Sequence, residues 1–76
     1  MSDVEIEYCV PCGFLNRAVD LAEALLSTFG GDVDGVSLVT GDNGIFQVRV
    51  DGTVVFDKEA DDYDVDEITR AVRAEL

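Results

Sequence analysis

The sequence has no histidine, no tryptophan, one proline, two cysteines and five basic residues, one Lys and four Arg, in 76 positions. Each scarcity excludes something. So few cations, scattered along the chain, cannot neutralise a run of phosphates, so nucleic acid is excluded as a partner and anionic membrane surfaces are disfavoured. The longest stretch free of charge, Tyr8 to Asn16, is nine residues, against the roughly 20 that a membrane-spanning helix requires. The start Met1-Ser2-Asp3-Val4-Glu5 lacks the basic opening and apolar run of a secretory signal, so a cytoplasmic location is expected. In a reducing compartment two cysteines do not suggest a purely structural disulfide.

Acid and apolar residues are both abundant. Asp and Glu number 17, the net charge is −12, and 47% of residues are hydrophobic. A disordered acidic tail would pair such charge with few apolar residues, so a core is intended. The length suits one domain, residues 1–76, which buries only about 60% of its unfolded surface. The charge opposes compaction. Dilute salt screens it over about 8–10 Å and molar salt over about 3 Å, so this composition is expected of a halophilic organism. An ordinary acidic domain with a basic partner is the alternative.

The order of elements follows from periodicity. Val4, Ile6 and Tyr8 alternate with Asp3, Glu5 and Glu7, the period of a strand with one wet face. From Gly13 the spacing becomes helical, with Leu15, Ala18, Val19, Ala22, Leu25, Leu26 and Phe29 on one face and Arg17, Asp20, Glu23 and Ser27 opposite. Gly30-Gly31 is expected to end this helix in a left-handed cap. Val33 to Val39 reads as a second strand, closed by the turn Thr40 to Gly44. Ile45 to Val50 and Thr53 to Lys58 flank Asp51-Gly52 as a hairpin. After an acidic loop, Asp64-x-x-Glu67 opens a last helix with Val65, Ile68, Val72 and Leu76 on one face and Arg70 and Arg73 toward its C-terminus. The expected fold is two-layer α/β, β-α-β-β-β-α, with a four-stranded mixed sheet. Both helices should lie on one face, because a helix over Asp3, Glu5 and Glu7 would bury charge.

One constellation carries chemistry. Cys9-Val10-Pro11-Cys12 stands where the first strand gives way to the first helix, whose unpaired N–H groups and positive dipole end stabilise a thiolate. A C-x-x-C pair closing the first strand of a β-α-β unit points to thioredoxin-like thiol exchange, in which one sulfur attacks a disulfide and the other resolves it. Three blander readings compete: a zinc half-site, which without histidine needs a dimer sharing four sulfurs; a structural disulfide closing a very short loop; and two buried thiols acting as small apolar residues. Arg17 could support a thiolate, although a solvated helix face is the simpler expectation. Tyr8 and Phe14 could rim the motif or fill the core. The acidic stretch Glu59 to Asp64 lacks the spaced ligands of a calcium loop and reads as hydrated surface.

The run Tyr8-Cys9-Val10-Pro11-Cys12-Gly13-Phe14, the run Gly44-Ile45-Phe46-Gln47-Val48-Arg49-Val50-Asp51-Gly52, and the closing acidic loop and helix resemble the selenoprotein W-like family, also called the Rdx family, of thioredoxin-fold proteins. The resemblance covers nearly the whole chain. It implies a small thiol–disulfide oxidoreductase or redox regulator with no cofactor and no metal, acting as a monomer on disulfide or thiol proteins or on a low-molecular-weight thiol. A redox-responsive binding module is the alternative. In selenium-bearing members the selenium stands at the position of Cys12, so sulfur there implies lower reactivity. The only proline is Pro11, so the cis-proline loop of thioredoxins is absent. The resemblance puts Gly44, Ile45 and Phe46 in its place, with backbone amides and the Phe46 ring contacting substrate alongside Val10, Pro11, Gly13 and Phe14. Thioredoxins also have a helix between their second and third strands, which the five-residue turn Thr40 to Gly44 cannot contain. Thioredoxin logic makes Cys9 the exposed, attacking sulfur and Cys12 the buried resolving one; the selenium position favours the reverse. Cys9 is taken as the attacker.

Overall fold

The alternating N-terminal segment becomes strand β1 (Asp3–Cys9), an inner strand of the sheet whose apolar side chains Val4 and Ile6 are fully buried. A computed structural model describes residues 2–76 of the chain. Helix α1 (Leu15–Phe29) follows, then β2 (Gly35–Gly41), β3 (Phe46–Val50), β4 (Thr53–Asp57) and helix α2 (Val65–Glu75). The spatial order is β2-β1-β3-β4. β1 pairs parallel with β2 and antiparallel with β3, and β3 pairs antiparallel with β4. This is the expected β-α-β-β-β-α architecture.

Both helices cover the same face. Val4, Ile6, Tyr8, Phe46, Val48, Val50 and Phe56 from the sheet meet Ala18, Leu21, Leu25 and Phe29 of α1 and Ile68 and Val72 of α2 in one core. The other face is polar: Arg49 reaches Glu7 at 3.2 Å and Glu5 at 3.7 Å, and Gln47 donates to Asp57 at 3.0 Å. Cross-strand pairing explains why three acids on one strand are tolerated, since β3 supplies Arg49 directly opposite Glu5 and diagonal to Glu7, within ion-pair distance of both. No helix among the described residues is long and apolar enough to cross a membrane.

Local chemistry sets the ends. Asp51 and Gly52 both take positive φ, 50° and 86°, the geometry of a two-residue hairpin. The Asp51 side chain also accepts the Asp3 amide at 2.9 Å, tying this turn to the start of β1. Asp64 caps α2, accepting from the amides of Asp66 at 2.9 Å and Glu67 at 3.4 Å, and Asp66 and Glu67 place negative charge in the first turn.

Four expectations need correction. Gly30 is right-handed, φ −50° and ψ −31°; the chain leaves α1 because the amides of Asp32 and Val33 both donate to the Phe29 carbonyl, so no left-handed residue is required. Val33 therefore belongs to the helix exit, and β2 runs from Gly35 to Gly41 because the parallel register with β1 continues to Cys9 opposite Gly41. The buried stripe of α1 includes Leu21, at 0% exposure, whereas Leu15, Val19 and Leu26 are exposed. Leu76 follows the end of α2 and is exposed rather than packed.

Candidate functional site

Cys9 is the last residue of β1, and its amide donates to the Ile45 carbonyl at 2.8 Å. The next amide, of Val10, donates to the Gly41 carbonyl at 3.1 Å. The cysteine loop thus leaves the sheet between the β2 and β3 ends, held on both sides by backbone. Val10 to Gly13 then form a turn, in which the Gly13 amide donates to the Val10 carbonyl at 3.1 Å. Gly13 has φ +78°, a conformation costly for other residues, and it separates Cys12 from the helix. Helix α1 starts two residues later than expected from Gly13, with Phe14 as a cap residue that offers no side-chain hydrogen bond.

Cys9 and Cys12 are joined by a disulfide, their Cα atoms 5.3 Å apart. Burial divides them. Cys9 is 0% exposed, while Cys12 is exposed together with Val10, Pro11 and Gly13. This corrects the expectation of an exposed Cys9 and a buried Cys12, and it also corrects the reading of two buried thiols. The physical reason is that Cys9 still belongs to the paired strand, whereas Cys12 lies at the outer limb of the turn.

The Gly44 to Phe46 segment does lie beside the cysteines, through the hydrogen bond from Cys9 to Ile45. No peptide among the described residues is cis, and no helix intervenes between β2 and β3. Gly44, at φ +77°, follows Asn43, also left-handed at 58°; this turn lets the Ile45 carbonyl point back at Cys9. Gly44 and Ile45 are half-buried and reachable. Phe46 is not. Its ring is 0% exposed, so the expectation that it touches substrate is corrected. It stands at the hub of an aromatic cluster, edge-on to Phe14 at 6.0 Å, Phe56 at 6.2 Å and Tyr63 at 5.5 Å between centroids. Phe46 supports the site through Phe14, which is half-buried and follows the motif directly.

In the outer layer of this cluster the sequence pointed to Arg17 but not to Lys58 or Tyr63. Arg17 is not solvated on an open helix face: its guanidinium lies 5.0 Å from the Phe14 centroid and 4.6 Å from that of Tyr63. Lys58, just beyond β4, brings its ammonium within 5.5 Å of the Phe14 centroid. Burial pushes the Tyr63 phenol above its ordinary pKa; Arg17 opposes this shift and Asp20 adds to it. Nothing local marks Lys58 or Tyr63 as site residues: Lys58 follows β4, and Tyr63, in the loop before α2, meets Phe46, Phe56 and the Arg17 guanidinium. Glu7, on the open face of the sheet near the end of β1, is paired with Arg49.

The model of the Rdx family matches residues 3–74. Two solved structures are similar over nearly their full length. A protein from Bordetella parapertussis shares 35% identity, with 99% of this chain and 98% of that one covered and a TM-score of 0.93. A selenoprotein W-related protein from Vibrio cholerae shares 25% identity, covering 97% and 95%, with a TM-score of 0.89. No curated protein matches the chain.

Proposed function

The chain belongs to the Rdx family, and from that premise we propose that it is a small thiol–disulfide oxidoreductase in which Cys12 exchanges with substrate and Cys9 resolves. The observation that carries this reading is the division of burial across one disulfide: Cys12 exposed, Cys9 sealed. Thiol exchange needs an in-line approach to a sulfur, and only an exposed sulfur offers one.

In the reduced protein the Cys12 thiolate attacks one sulfur of a disulfide RSSR, forming a mixed disulfide and releasing RS⁻. The Cys9 thiolate then attacks the Cys12 sulfur, closing the intramolecular bond and releasing the second RS⁻. A dithiol donor reverses the sequence, taking the two electrons' worth of oxidation back as its own disulfide. Val10, Pro11 and Gly13 are exposed beside Cys12 and supply backbone contact, as do Gly44 and Ile45 across the loop.

Turnover tests the proposal. With a dithiol donor in excess, the protein should reduce many equivalents of a neutral disulfide per molecule. A single redox-dependent change in partner affinity without turnover would instead favour a binding module.

A further inference from the structure

A chain with 17 carboxylates and five cations leaves few reasons for a cation to stand without an acid. Arg49 is engaged by Glu5 and Glu7, and Arg70 by Glu67, while Arg73 stands alone over the Phe29 ring at 5.4 Å, apart from the Phe14 ring. Among the described residues Arg17 and Lys58 form no ion pair and donate no side-chain hydrogen bond; Asp20, one turn beyond Arg17, does not pair with it. Both converge instead on the ring of Phe14, Arg17 from the first turn of α1 and Lys58 from the end of β4.

We propose that Arg17 and Lys58 form a carboxylate-recognition subsite beside Cys12, selecting a small disulfide that carries a carboxylate a few bonds from its sulfur. Three points carry this. Phe14 is two residues from Cys12, a Cα–Cα span of at most about 7 Å, and the two cations stand 5.0 and 5.5 Å from its ring centroid, so a group attached to the reacting sulfur meets them by extending across that ring. A guanidinium laid over a ring uses its face and leaves its in-plane N–H fork open for a carboxylate. Two like charges at 5.0 and 5.5 Å from one ring centroid repel, and an anion bound near that ring is attracted by both. In a protein of net charge −12 such a subsite offsets, locally, the field that would otherwise turn away an anionic substrate.

The subsite rests on the oxidoreductase reading, and the test separates the two. The reduced protein is oxidised in single turnover by 3,3′-dithiodipropionate, a dianion, and by 2-hydroxyethyl disulfide, which is neutral. The dianion-to-neutral rate ratio should fall about three- to tenfold in an Arg17→Gln, Lys58→Gln variant. It should stay within twofold in an Arg70→Gln, Arg73→Gln variant, which removes the same charge from α2. Arg17→Lys should keep most of the preference. An unchanged ratio in the first variant, an equal fall in both variants, or an equal loss toward both reagents would overturn the subsite and leave the oxidoreductase reading standing. Failure of the wild-type protein to react even with the neutral disulfide would overturn the reading itself, and the subsite with it.

Discussion

The backbone amide of Cys9 donates to the carbonyl of Ile45 at 2.8 Å, so the buried half of the disulfide is anchored to the loop between β2 and β3 as well as to its own strand. That loop depends on Asn43 and Gly44, both left-handed. Replacing Gly44 with Val forces a β-branched residue into that region, at a cost of about 1–2 kcal/mol. Chemical denaturation should show this loss, and a native-like midpoint for Gly44→Val would mean that the loop relaxes freely.

Phe46 gives a second test, because burial assigns it to support and not to substrate contact. Truncation to Ala should destabilise the protein by about 3–5 kcal/mol, on the scale of a small domain's whole stability. Phe46→Leu, which keeps most of the volume, should retain the fold and change exchange rates with a neutral disulfide by less than about threefold. A folded Phe46→Ala variant with normal stability would contradict the packing role.

Much of this fold was legible because its elements have unmixed periods. Strict alternation marked β1, the Asp51-Gly52 pair marked the hairpin, and Asp64 with Glu67 marked the start of α2, each a local signal that the structure bears out. The first helix was harder, since its apolar residues cover more than one face. Ala18, Leu21, Leu25 and Phe29 follow the three-and-four spacing of the buried stripe, yet Leu15, Val19 and Leu26 are equally apolar and remain exposed. The cysteine pair was visible from spacing, but the burial of Cys9 against Cys12 was not, because it depends on β1 extending one residue further than its charged alternation. Lys58 and Tyr63 reach the site only through the pairing of β3 with β4 and the placing of the loop before α2, which no local pattern encodes, whereas Arg17, three residues beyond Phe14, is local to the motif.

Net charge supplies a prediction about folding. With −12 on 76 residues, raising potassium chloride from dilute buffer to molar concentration shortens the screening length from about 10 Å to about 3 Å and should raise the thermal midpoint. Equal midpoints in the two conditions would show that self-repulsion is not a significant term for this chain.

The central claim is that Cys12 exchanges and Cys9 resolves, and trapping tests it most directly. Each single Ser variant is incubated with a neutral disulfide, and the mixed disulfide is followed by intact mass. The account predicts that Cys9→Ser, which keeps the exposed sulfur and removes the resolving one, accumulates a stable adduct on Cys12, while Cys12→Ser reacts at least about tenfold more slowly because its remaining thiol is sealed at the end of β1. Rapid, stable adduct formation by Cys12→Ser alone would contradict it and return the attacking role to Cys9.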